Sequence, residues 1–306
     1  MIPTFTRHLL VVAIAVIASA CAAPTPAPAP KHGPLETAML ERVLGMPGTV
    51  QAGEFKVTIP QNDLDIRVDG FAIVPPMGLG SWAAFTPGPR GAVLMGDLVV
   101  QETELAAVQA TLVQHGLRVT GLHNHFARET PSILFMHIGG EGPADSLAHR
   151  VRAVLDRIRA LRGGDPAAAP ARSVNSALDT AAIARGLGAH GQSARGVYRI
   201  TLGRPDVALT AHGASVSSFL GFNTWAAWQG TEDRAAVAGD FAMLAHEVAP
   251  VVEALVTRGI EVVALHNHMT HEEPTIYFLH YWGVGRQADL LAALRAALAN
   301  LGPAAR

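Results

Sequence analysis

Two short stretches gather side chains that ligate metals. The first reads His123-x-His125-x-x-x-Glu129 and then His137; the second reads His266-x-His268-x-x-x-Glu272 and then His280. In an extended strand, residues i and i+2 share a face about 6.6 Å apart at Cα, so such imidazole pairs can converge on one ion. A turn carboxylate can fold back onto that ion, and the histidine of the returning strand can complete the set. Three imidazoles and one carboxylate suit Zn, Mn, Fe, Ni or Cu(II). The geometry demands one register. If Phe126 opposes Ser132, His137 opposes Gly121 and shares the face of His123 and His125; a slip of one residue turns it away. The plain alternative is that these histidines are structural. Six of the chain's 14 histidines at three matched positions favour a ligand-binding role over it.

The elements that position these residues follow from an internal repeat. Leu122-His123-Asn124-His125 recurs as Leu265-His266-Asn267-His268, an offset of 143 residues (266 − 123). That offset holds without a gap from Leu35/Leu178 to Leu155/Leu298. In the 16 pairs from Leu122 to His137, 9 are identical, so identity concentrates in the hairpin. Such a repeat means two copies of one unit. We divide the chain into 1–21, a signal segment; 22–34, a Pro/Ala spacer; 35–161, the first unit; 162–175, a Gly/Pro/Ala linker; and 176–306, the second unit.

Within a unit, the pattern predicts a short helix over 35–44 and strands near 55–59, 64–74 and 92–100. A helix follows over 102–115, ended by Gly116. A hairpin over 117–125 and 132–138 and an amphipathic helix over 145–161 complete it. The strand-helix-strand-strand-helix order suggests an α+β unit with a ferredoxin-like split βαβ carrying the histidine hairpin.

Composition narrows the function. The chain has 306 residues, is 49% hydrophobic and 16% charged, and carries a formal net charge of −2. No basic excess draws nucleic acid, so His-Asn-His is not read as a nuclease motif. With one cysteine, Cys21, an internal disulfide is excluded, as is a thiolate metal site in the folded part. An apolar run over 9–18 after Arg7-His8 is too short to span a bilayer and fits a signal peptide. Ala18-Ser19-Ala20-Cys21 resembles a lipobox, which would anchor the chain to a membrane through a lipid on Cys21. The prolines at 24, 26, 28 and 30 then make a semi-rigid spacer. The expected location is the periplasm or the cell surface, or simple secretion if Cys21 is not lipidated.

Other matched pairs are less specific. Trp82 and Trp225 fit a core, or the floor of a ligand pocket. Asp97 and Asp240 fit a strand-end cap better than a metal shell. Glu104 and Glu247 fit the positive end of a helix.

At Gly116-Leu-Arg-Val-Thr-Gly-Leu-His-Asn-His125, with Glu129-x-Pro131 and Phe135-Met-His137, the chain resembles the LppY/LpqO family of lipoprotein-like proteins. Ala264-Leu-His-Asn-His-Met-Thr-His-Glu-Glu-Pro274 and its sequel through His280 are similar too. The resemblance implies an exported domain of unknown function. The leading expectation is a transition-metal binder. A metal-dependent hydrolase or oxidase, and a metal-free module for a small molecule or envelope component, are the alternatives.

Overall fold

The computed structural model describes residues 33–302. The first half runs α1 (Thr37–Leu44), β1 (Thr49–Gln51), β2 (Glu54–Pro60), β3 (Ile66–Val68), β4 (Phe71–Ile73), β5 (Gly80–Gly88) and β6 (Gly91–Gln101). It continues with α2 (Leu105–Gln114), β7 (Arg118–His123), β8 (Ile133–Gly142) and α3 (Ala144–Arg162). The second half runs α4 (Thr180–Leu187), β9 (Gln192–Ala194), β10 (Val197–Gly203), β11 (Thr210–Ala211), β12 (Ala214–Ser215), β13 (Asn223–Gly230) and β14 (Ala235–Met243). It ends with α5 (Ala245–Val256), β15 (Glu261–His266), β16 (Glu272–Glu273), β17 (Tyr277–Gly285) and α6 (Gln287–Leu298).

Each half builds one six-stranded sheet of the same strand order: β1-β2-β5-β6-β8-β7 in the first, β9-β10-β13-β14-β17-β15 in the second. Neighbours are antiparallel throughout. The fold is therefore α+β with two similar tandem units. β6 and β7 both flank β8, so the β6-α2-β7 crossing is a split βαβ. Beyond β6 the sheet grows through hairpins to β5, β2 and β1, strands that a ferredoxin-like unit does not include. The strand expected over 64–74 is instead the hairpin β3-β4, because Asp69 (φ 47) and Gly70 (φ 84) turn the chain. β5 shows no clean alternation, because consecutive residues from Ala83 to Thr86 are all buried.

Strand alternation sends one set of residues toward the helices and the other inward. In the first unit Val57, Phe85, Leu98 and Met136 pack under α1 and α3 with Leu40, Leu147, Val151 and Leu155. In the second, Ile200, Trp228, Val237 and Leu279 pack with Ile183, Leu290 and Leu294.

The inner faces meet, and each is partly covered by a segment of the other unit. Ile66, Phe71, Ile73 and Met77 share a core with Trp225, Ala236, Ala238 and Trp282 of the second sheet. Leu209, Val216, Leu220 and Phe222 share one with Ala84, Val93 and Met95 of the first. Hydrogen bonds tie both exchanges: Trp282 Nε1 donates to Asp69 Oδ2 (2.9 Å), Gln229 Nε2 to Ala72 O (3.2 Å) and Lys56 Nζ to Phe219 O (3.1 Å). The two units thus clasp each other, and the histidine hairpins lie between them.

Candidate metal centre

Two matched rows of residues cross the inner faces. In the first sheet Thr58 opposes Trp82, Trp82 opposes Asp97, Asp97 opposes His137 and His137 opposes Gly121. In the second, the row is Thr201, Trp225, Asp240, His280 and Ala264. Gly121 opposite His137 is the register in which His123 and His137 share a face. The bulges that follow Val119 and Val262 lie just ahead of it and do not disturb the histidines. His125 and His268 sit just past the ends of β7 and β15, yet stay next to their partners: the His123–His125 and His266–His268 ring centroids are each 5.2 Å apart.

The six histidines form one cluster, not two hairpin sites. His123 stacks on His266 with centroids 3.7 Å apart, His125 meets His280 at 3.9 Å, and His137 meets His268 at 4.0 Å. Each of these pairs crosses from one unit to the other. Ligand atoms of His123, His266 and His280, and likewise those of His137, His266 and His268, lie within 4.8 Å of one another. Lone pairs of stacked rings run side by side, so a shared ion requires the His123 and His266 rings to fan apart about χ2.

Backbone carbonyls select the tautomers. His137 Nδ1 lies 3.3 Å from Gly96 O, His280 Nδ1 3.1 Å from Gly239 O and His125 Nδ1 3.3 Å from Gly78 O. Donation from Nδ1 leaves Nε2 with its lone pair free, the state a metal ligand needs. Both glycines before those carbonyls in the strands are forced: a Cβ on Gly96 would meet Trp82 O at 2.7 Å, and one on Gly239 would meet Trp225 O at 2.2 Å.

The carboxylates near these nitrogens are Asp97 and Asp240. Asp97 Oδ2 lies 3.6 Å from His125 Nε2; Asp240 Oδ2 lies 3.7 Å from His268 Nε2 and 4.0 Å from His280 Nε2. Two ligand atoms on one tetrahedral ion sit roughly 3.4 Å apart at ordinary Zn–N and Zn–O lengths, so these spacings suit a bridging ion better than a direct hydrogen bond. The expectation that these aspartates cap strand ends is corrected: both lie inside long strands, 3% and 2% exposed.

Glu129 and Glu272 do not join the cluster. Asn124 Nδ2 donates to Glu129 Oε1 (2.7 Å) and to Ile133 O (3.1 Å). Asn267 Nδ2 donates to Ile276 O (2.7 Å), and Ile276 N donates to Glu272 Oε1 (3.0 Å). The asparagine between the two histidines points to the opposite face, and each glutamate follows it there, bracing its own loop.

Electrostatics sharpen the picture. Burial holds the imidazoles neutral: it pulls His125 and His266 down to about 3 and His137 to about 4, and lowers His123, His268 and His280 as well. Burial pushes Asp97 and Asp240 above the usual carboxylate range. Among the described residues, seven imidazole nitrogens of His123, His137, His266, His268 and His280, and one oxygen each of Asp97 and Asp240, are buried without a hydrogen-bond partner. Each such atom costs about 1–3 kcal/mol unless something satisfies it.

A cavity of about 260 Å³ adjoins the cluster. Asp97, Asp240, His125, His137, His268 and His280 line it, with Trp82 and Trp225. The tryptophans are thus beside the histidines, not in a separate pocket. Lys56 and Arg199 also face this cavity and were not singled out in the sequence; they are a matched pair at the same 143-residue offset, which was the available signal. Cys21 lies outside the described residues. Among those residues, no helix is long and apolar enough to cross a membrane.

Comparison with known proteins adds a family and little else. No curated protein matches. Among solved structures, the chain is similar to EtuB from Clostridium kluyveri at 10% identity, over 83% of this chain and 88% of that one, with a TM-score of 0.19. It is similar to a trimeric bacterial microcompartment shell protein, PduB, at 12% identity over 80% and 86%, with a TM-score of 0.17. At such scores these likenesses carry no argument about fold or function. The family model that matches is the Domain of Unknown Function (DUF1259), found twice, at residues 38–157 and 181–300. This match overturns the LppY/LpqO resemblance drawn from the motifs. The two matched stretches coincide with the two structural units, and the chain belongs to the DUF1259 family of domains of unknown function.

Proposed function

We propose that the two units together bind one transition-metal ion, drawn from Zn, Mn, Fe, Ni and Cu, at the histidine cluster between them. The observation that supports this best is the set of buried imidazole nitrogens and aspartate oxygens left without partners at a single spot. A divalent cation satisfies buried lone pairs that are left without a hydrogen-bond donor. Both candidate ligand sets contain His266, so they compete for one ion.

The test is elemental analysis of the purified, reconstituted protein and of single variants. We expect about one equivalent of metal per chain. His123→Ala and His266→Ala should each remove nearly all of it, since each half supplies ligands to the same centre. Retention of half the metal in either variant would support two independent hairpin sites instead. No metal after reconstitution would end the reading.

A metalloenzyme, hydrolytic or oxidative, is the second reading. What favours it is the cavity beside the histidines, since catalytic sites keep an open coordination position next to a pocket. We also infer that the protein is exported and held at a membrane by a lipid on Cys21.

A further inference from the structure

Lys56 and Arg199 occupy equivalent positions in the two units and face the same cavity. Each rests on the tryptophan of its own sheet: Lys56 Nζ is 4.1 Å from the Trp82 ring centroid, and Arg199 Cζ is 3.9 Å from that of Trp225. Each donates to a backbone carbonyl of the other unit, Phe219 O at 3.1 Å and Pro76 O at 3.4 Å. Neither forms a salt bridge with a carboxylate among the described residues, although Asp97 and Asp240 line the same space. Indole faces and carbonyls anchor the two cations from behind and leave donors of each directed at the cavity.

Charge bookkeeping then asks for an anion. Among the groups that line the cavity, Lys56 and Arg199 balance Asp97 and Asp240. A divalent metal at the histidine cluster adds two positive charges among buried groups, where an uncompensated charge is costly. We propose that the cavity binds a small dianionic oxyacid, a phosphate or a short dicarboxylate, with one oxygen toward the metal and the others held by Lys56 and Arg199. This rests on the metal reading for its full affinity, while the two cations are a separate observation. The volume of about 260 Å³ admits a phosphate group or a chain of a few carbons, not a polymer. The guanidinium fork suits either anion, because both offer paired oxygens.

The experiment is calorimetric titration of zinc-loaded full-length protein with inorganic phosphate and, separately, with succinate. Metal content is measured on the same samples. Saturable binding of at least one anion is expected, weakened at least tenfold in Lys56→Gln/Arg199→Gln with metal content unchanged. The charge-keeping exchange Lys56→Arg/Arg199→Lys should stay within about threefold of wild type, which separates loss of charge from loss of fold. Binding of phosphate alone or of succinate alone names the source of the oxyanion. Binding of neither to the zinc-loaded protein, or equal binding by wild type and the charge-removing variant, overturns the proposal. If the protein takes up no zinc, the metal reading fails by that measurement. The same titrations on metal-free wild type and variants then decide the anion site: a charge-dependent difference sustains it, and its absence overturns it.

Discussion

At three of the four cavity histidines, His125, His137 and His280, the backbone decides which nitrogen is free. His137 and His280 donate from Nδ1 to the carbonyls of Gly96 and Gly239 on the adjacent strands, so Nε2 is left without a proton and without a partner. Such rings have a strong pH consequence in the metal-free protein. In the unfolded chain an imidazole takes its proton near 6.5. In the folded chain burial delays this to about 4 for His137 and about 3 for His125 and His266. Below 6.5 the unfolded state therefore binds more protons than the folded one, and stability falls with falling pH. Asp97, Asp240, Glu54 and Glu272, raised by burial, act in the opposite sense, but they are four groups against six. We expect the metal-free protein to lose its denaturant midpoint steadily as pH falls from about 6.5 to 4. A midpoint flat across that window would mean that the histidines are solvated, not buried. Saturation with metal should delay the loss, because the ion binds only the folded, deprotonated set.

The elements show how one repeat reaches one structure by unequal means. Glu104 and Glu247 are equivalent; both stand at the start of a helix, as expected, and each is also the buried partner of an arginine. Arg162 Nε reaches Glu104 Oε1 at 2.7 Å from the end of α3, whereas Arg204 Nη1 reaches Glu247 Oε2 at 2.8 Å from the loop after β10. The position equivalent to Arg204 is Gln61, which instead accepts from Arg162. The buried carboxylate is kept and its counter-charge arrives from a different part of the chain. Breaking either pair would strand a buried charge at a cost of about 3–5 kcal/mol. The segments after β2 and after β10 carry a larger consequence. Leu64, Ile66, Val68, Ile73, Met77 and Leu79 are at most 6% exposed and belong to a core that includes the second sheet. Each such side chain is worth roughly 1.5–3 kcal/mol when buried. Residues 33–164 and 165–302 expressed apart should each fail to give a cooperative unfolding transition, and co-expression should restore both the transition and metal uptake. Two independently cooperative halves would show that the clasp is dispensable.

For the whole molecule, the pseudo-symmetric arrangement places the six histidines, Asp97 and Asp240, both cavity cations and both tryptophans between the units. Each candidate ligand group draws histidines from both repeats. The Pro-rich segment that precedes the described residues would hold such a body away from a surface if Cys21 carries a lipid. Cys21→Ser should then shift the protein from the membrane fraction to the soluble one. Wild type that is already soluble would leave secretion without an anchor.

Chain self-comparison determined the duplication, the histidines, and the helices over α2 and α3. It could do so because an offset of 143 residues and an apolar period are properties of the chain itself. It also identified the one register in which His123 and His137 share a face, without being able to choose it. Four things only the tertiary structure decided. The register was chosen, with Gly121 opposite His137. The carboxylates beside the histidines are Asp97 and Asp240 rather than Glu129 and Glu272, because the adjacent strand brings them there while Asn124 and Asn267 draw the glutamates away. Lys56 and Arg199, unremarkable as a pair of basic residues, face one cavity. Finally, two matching motifs became one centre. A repeat records that two faces are alike, but whether like faces point apart or press together depends on contacts over more than a hundred residues, and local sequence pattern does not encode them.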